Sequence, residues 1–233
     1  MIKRVFILLM LAIMAFMFFQ VATTYEESDT LSKLGTYYAE QGPDELGAQN
    51  LITSVIVTYR GLDTLGEVAV LFLAAAGVGL LLKPDTQNSE PKVKERHRPA
   101  SEIVTTATEL LLPMVILLGV YVFINGHLSP GGGFQGGAII ASGTMFLILA
   151  LPETHLSRVV ISFVESLSGF AYVIVGALGI LLAGGFLDNR IMALGEYGSL
   201  FSAGAIPLIY VFVGLKVGFE LSAILDRFRK QGS

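Results

Sequence analysis

Residues 103–125 read IVTTATELLLPMVILLGVYVFIN, an apolar run interrupted by one carboxylate, Glu109, and one proline, Pro113. At about 1.5 Å per helical residue the run extends about 34 Å, enough to cross a hydrocarbon core of about 30 Å. A charge inside such a run costs several kcal/mol unless it is paired or faces water, which singles Glu109 out. Pro113 follows four residues later and has no N–H, so the Glu109 carbonyl loses its helical donor. A free carbonyl beside a buried carboxylate is a candidate cation or water site. The plainer alternative is a kink whose carbonyl a neighbouring Thr satisfies.

Outward from this run the same pattern recurs. Residues 5–22 follow Lys3 and Arg4, exceed the core of a cleaved signal peptide and lack a small-x-small site, so they read as a retained first span. Residues 68–82 form a second span, and 137–152, 159–185 and 199–225 join 103–125 to give four more. The expectation is an all-α, multi-pass integral protein of the cell membrane with about six transmembrane helices. Composition agrees: 53% of the 233 residues are hydrophobic against 15% charged, and mean hydropathy is +0.70. The chain has no Cys, hence no disulfides, thiolate zinc site or iron–sulfur ligands, and His97, His127 and His155 are too scattered for a haem pair. No cofactor is expected within it. A net charge of −4 argues against a nucleic-acid partner.

Residues 85–98 form a charged linker, with Lys92, Lys94, Arg96 and Arg98, between a two-helix part at 1–84 and a four-helix part at 99–233. Placing both termini in the cytoplasm puts these residues inside with Lys3, Arg4, Lys83, Arg158, Arg227, Arg229 and Lys230. Only Lys33, Arg60 and Arg190 then fall outside, so the positive-inside rule favours N-in, C-in.

Three groups of residues carry possible chemistry. In Arg60-Gly61-Leu62-Asp63-Thr64-Leu65-Gly66-Glu67, helical spacing sets Arg60, Asp63, Thr64 and Glu67 on one stripe that can pass a cation, with an Arg60/Asp63 interfacial anchor as the plainer reading. Glu67 lies deepest. In Asn125-Gly126-His127-Leu128-Ser129-Pro130-Gly131-Gly132-Gly133-Phe134-Gln135-Gly136-Gly137 no strand precedes the glycines and no Gly-Lys-Ser/Thr follows, which argues against a nucleotide site. A tight turn fits better, continued by Gly136, Gly137, Ala138, Ala141 and Gly143 as a small-residue helix face. His127, at the outer surface, is a candidate for proton exchange near neutral pH. The third group, Glu165, Lys216 and Glu220, joins Glu109 in lying within predicted spans at similar depth. Lys216 and Glu220 are four apart and can neutralise each other.

The segment from Asn50 to Glu67 resembles the E-type membrane protein of membrane-bound hydrogenases, equivalent to the C-terminal part of the large A-type component of Mrp-type cation/proton antiporters, in its pattern N-x-x-T…R-G-x-D-T-x-G-E. The segment from Pro113 to Gly137, with Gly126-His127-x-x-Pro130-Gly131-Gly132-Gly133-Phe134-x-Gly136-Gly137, resembles the B-type (MnhB/MrpB) component of Mrp antiporters, whose hydrogenase counterpart is the F-type membrane protein. The resemblance implies a non-enzymatic subunit that works with other Mrp- or hydrogenase-type membrane subunits in moving sodium ions and protons. It also implies Asp63, Thr64 and Glu67 as ion-path residues, and Asn50, Arg60, Gly61, Gly66, His127, Pro130 and Phe134 as signature positions. Fusion of the two parts on one chain is closer to the hydrogenase-like, complex I-related assemblies, which carry a peripheral redox arm with nickel–iron and iron–sulfur centres. A stand-alone antiporter and a purely structural scaffold protein are the rival readings.

Overall fold

The computed structural model describes residues 2–25, 30–82, 100–152, 154 and 156–231. The linker at 85–98 and His155 lie outside the described residues. The chain forms two compact units, residues 1–37 and residues 38–233.

In the first unit, α1 (Ile2–Thr24) is a single apolar helix whose side chains from Lys3 to Thr24 are all exposed. A helix apolar on every side is stable only where lipid or another chain surrounds it. Its hydroxyls are satisfied internally: Thr23 donates to the Phe19 carbonyl at 2.9 Å and Thr24 to that of Gln20 at 2.8 Å. The polar residues that follow include α2 (Lys33–Leu46), a helix that the polar, acidic composition of this stretch does not announce.

In the second unit a short helix, α3 (Leu51–Thr53), continues as a π-helical turn (Ser54–Tyr59) and leads into α4 (Gly61–Leu81). Then come α5 (Glu102–Ile124), α6 (Gly133–Ala150), α7 (Arg158–Leu182) and α8 (Ile206–Gln231). With α1, the helices α4 to α8 make six that are long and apolar enough to cross a membrane. Ser101 and Ser157 cap α5 and α7, each accepting at 3.4 Å from the backbone N–H three residues on.

α8 is the axis of this unit and packs against α4, α5, α6 and α7. Glycine makes the approach possible. A Cβ at Gly137 would stand 2.7 Å from the Gly214 carbonyl oxygen on α8, and one at Gly136 would stand 2.5 Å from that of Gly119 on α5. Gly133, Gly136, Gly137, Ala141 and Gly143 form the buried face of α6, whereas Ala138 points outward, contrary to expectation.

Two helix boundaries differ from the sequence reading. The Gly-rich motif does not end before the fourth span; Gly133 to Gly137 are already the first turns of α6. The last span starts at Ile206 rather than near residue 199, because residues 183–205 fold as an irregular segment that packs back into the bundle end. Leu187 and Ala203 adopt positive φ of 60° and 64° there, and both side chains are buried.

Candidate functional site

Lys216 and Glu220 sit one turn apart on α8, as their spacing requires, and α7 supplies the third member, Glu165. The Lys216 Nζ lies 3.1 Å from Glu220 Oε2 and 3.5 Å from Glu165 Oε1. Gly169, one turn after Glu165, leaves room for the lysine stem; a Cβ there would stand 3.2 Å from Lys216 Cδ. From α4 the Phe72 ring approaches the ammonium at 5.2 Å. Lys216 is 7% exposed and Glu220 0%. Lys216 is the one cation that the structure sets against Glu220, and neither Glu220 oxygen receives a hydrogen bond from a backbone N–H or a neutral side chain. The pair expected from spacing is thus a triad of two carboxylates and one ammonium, buried where three helices meet.

The other predicted carboxylates do not join it. Glu109 is exposed on α5. The stripe on α4 divides: Thr64 is buried and donates to the Ile56 carbonyl at 2.6 Å, which the π-helical turn leaves free, while Arg60, Asp63 and Glu67 are exposed. Arg60 and Asp63 form an ion pair. Tyr172 is a buried side chain of α7 whose hydroxyl has no hydrogen-bond partner. Gly66 has no neighbour within 4 Å, so its place in the motif is not explained by packing within this chain.

The two sequence motifs meet at the end of the bundle bearing the 125–132 loop. Asn50 donates through Nδ2 to the carbonyls of Gly126 and Ser129 at 2.9 and 3.0 Å, and its backbone N–H donates to the His127 carbonyl at 3.0 Å. Thr53 donates to the Gly126 carbonyl at 2.7 Å and shares a 2.9 Å hydroxyl contact with Tyr210 of α8. Phe134 packs against the core, and Pro130 is exposed. His127 is not at a surface. It is fully buried, with Nε2 3.4 Å from the Ser199 carbonyl and Nδ1 unpartnered, and burial holds its imidazole below the ordinary range.

The irregular segment 183–205 closes the same end. Asn189 is wholly buried and donates to the carbonyls of Leu46 and Ala203 at 3.0 and 2.9 Å. Asp188 is held below the usual carboxylate range by the Arg190 guanidinium, whose Nη2 lies 2.5 Å from it. Asn189, Tyr210 and Tyr172 escape a reading of the sequence. A polar tip in an apolar stretch was the available signal, because such a tip needs a partner when buried.

The architecture and the buried triad define a class, a multi-pass helical membrane subunit with charge inside its bundle, and comparison narrows it. Residues 103–223 match the model of a domain related to the MnhB subunit of Na+/H+ antiporters, and residues 3–109 match the MbhE model, which describes the E-type component of MBH. The chain belongs to the MnhB-related family. It is similar to a chain of the membrane-bound sulfane sulfur reductase, an archaeal respiratory membrane complex, with 38% identity, a TM-score of 0.81 and 98% of each chain covered. A chain of the Mrp complex from Dietzia sp. DQ12-45-1b is 25% identical with a TM-score of 0.75, over 97% of this chain and 26% of that one. An uncharacterized protein of Methanocaldococcus jannaschii is 29% identical over 199 residues, 76% of each chain. The two solved neighbours are chains of membrane complexes, and with the MnhB-related domain they make this protein a membrane subunit of the Mrp antiporter type.

Proposed function

We propose that this chain is the non-catalytic membrane subunit of a Mrp-type sodium/proton module inside a redox-driven, complex I-related assembly. The observation that carries this reading is the end-to-end likeness, 98% of both chains, to a subunit of a respiratory complex. There, as here, both parts occupy one chain of the same length. The parts are residues 1–84 and 99–233, joined by the cytoplasmic linker 85–98, with both termini inside. Partner subunits supply the redox arm with its iron–sulfur centres, and this chain contributes helices to the ion-translocating membrane part. The rival, a stand-alone antiporter, draws support from the likeness to the Mrp complex chain.

The two readings separate on the metal content of the assembly purified through an affinity tag on this chain. The redox-linked reading expects stoichiometric iron, with nickel if the arm is of the hydrogenase type; a complete multi-subunit assembly free of these metals supports the antiporter. Glu67 and Glu109 lie on exposed helix faces, where a carboxylate at membrane depth needs a partner chain, water or an ion beside it. Glu67, with Asp63 and Thr64, is assigned to the ion path. Glu67→Gln should lower sodium-dependent proton exchange in vesicles roughly tenfold, about 1.4 kcal/mol, without dispersing the complex. Undiminished exchange in an intact complex would count against that role.

A further inference from the structure

Charge counting at the Glu165–Lys216–Glu220 triad leaves one negative charge in excess inside an apolar bundle. Every titratable or charged group packed around it has another assignment. α6, the closest companion of α8, has no titratable residue. On α5, Glu102, Glu109 and Tyr121 are exposed. On α4, Glu67 is exposed, and the group facing the triad is the Phe72 ring. On α7, Arg158 is exposed and Tyr172 is buried away from any hydrogen-bond partner. Further along α8, Asp226 pairs with Arg229 at 2.6 Å, and Arg227 donates to the Ala75 carbonyl at 2.8 Å. No second cation among the described residues balances the triad.

A buried ion pair already sits near break-even, and a third, uncompensated charge makes the fully ionised state costly. One proton on either of the two carboxyl groups removes the excess charge, so the pair titrates as a unit. The Glu220 carboxyl suits that proton, with no exposure and Lys216 as the only charged group within ion-pair distance of it. Glu165 is the accessible edge, its side chain 19% exposed against 0% for Glu220. A sodium ion fits poorly. The ammonium already occupies the space between the carboxylates, and Phe72 and Gly169 offer no side-chain oxygen to complete a coordination shell.

We infer that the Glu165–Lys216–Glu220 triad binds one exchangeable proton at neutral pH, carried by the carboxyl pair with Lys216 as its fixed counter-charge and Glu165 as the exchange-facing end. Exchange is a simple transfer: the proton leaves a carboxyl oxygen for water or a partner group at Glu165, and the pair takes up another. The site deepens the ion-translocating reading and rests on it for its purpose. Its test needs neither turnover nor a redox partner, so the two fail separately.

The measurement is infrared difference spectroscopy of the assembly, purified through this chain at neutral pH in H2O and in D2O. The wild type should show one deuterium-sensitive carboxylic C=O equivalent that Glu220→Gln abolishes. Glu165→Gln should abolish it equally, because either change leaves a neutral carboxylate–ammonium pair. Lys216→Met should double the amplitude, since both carboxyls then take a proton. The proposal is overturned if both glutamine variants superpose on the wild type in that region. It is equally overturned if the band disappears when sodium chloride replaces potassium chloride, which would identify a sodium occupant.

Discussion

His127 illustrates how burial changes what a residue can do. Its position in a Gly-rich loop between spans suggests an accessible imidazole, but the 183–205 segment folds over it and leaves only the Ser199 carbonyl near Nε2. Desolvation lowers the imidazole from its ordinary 6.5, so the unfolded chain takes up the proton first as pH falls. The stability owed to His127 is therefore complete above pH 6.5. It declines as pH drops below that value and levels off once the folded state also protonates. Asp188, lowered by Arg190, is affected only in stronger acid than the histidine. Thermal melts of the assembly should show a lower midpoint at the acid end, and His127→Gln should shrink that drop by a few degrees, at about 2–4 °C per kcal/mol. An identical drop in both proteins would mean that other groups set the acid sensitivity. At this scale the sequence was informative only where partners are local. Lys216 and Glu220 are legible from spacing and Glu165 from its similar depth in a neighbouring span, whereas Phe72 and the burial of His127 come from contacts between distant segments.

Among the helices, length and hydropathy located all six apolar ones, since a span of about 20 apolar residues has few alternative uses. What they could not locate were the ends. Gly133 read as part of a turn because glycine weakens helices in water, yet it already belongs to α6, where its missing side chain, like those of Gly136 and Gly137, permits close packing. The π-helical turn at Ser54–Tyr59 was illegible for a similar reason: it is held by the Thr64 hydroxyl on the Ile56 carbonyl, eight residues away. These contacts give a sharp contrast between two glycines. At Gly137 the obstructing atoms include the Gly214 carbonyl and the Gly218 N, both backbone, so the neighbours cannot yield by turning a rotamer. Gly137→Leu should separate α6 from α8 and reduce recovery of the intact complex severely, the overpacking cost exceeding the usual 1–3 kcal/mol or so. Gly77, with nothing within 4 Å, should accept Ala without loss. Native gel recovery of the two variants decides between packing and a merely permissive role for the α6 face; equal recovery would refute the packing account.

For the molecule as a whole, the positive-inside argument makes the strongest untested claim, that the linker and both termini lie on the cytoplasmic side. It rests on the distribution of Lys and Arg along the sequence, so access is what tests it. The absence of cysteine makes the test direct, because any introduced thiol is unique within the chain. Ser89→Cys places one in the linker, and Glu196→Cys places one on an exposed residue of the 183–205 segment. With a membrane-impermeant maleimide applied to intact cells, Cys at 196 should label fully, whereas Cys at 89 should label only after the membrane is opened. The reverse pattern would invert the topology and would place the C-terminal end of α8, opposite that segment, on the outward side. Labelling of both sites in intact cells would rule out three spans, α5, α6 and α7, between them, since an odd number of crossings puts the two sites on opposite sides. Either result would also redirect the search for the water that Glu165 exchanges with, because the accessible edge of the triad faces whichever compartment that end of α7 and α8 adjoins.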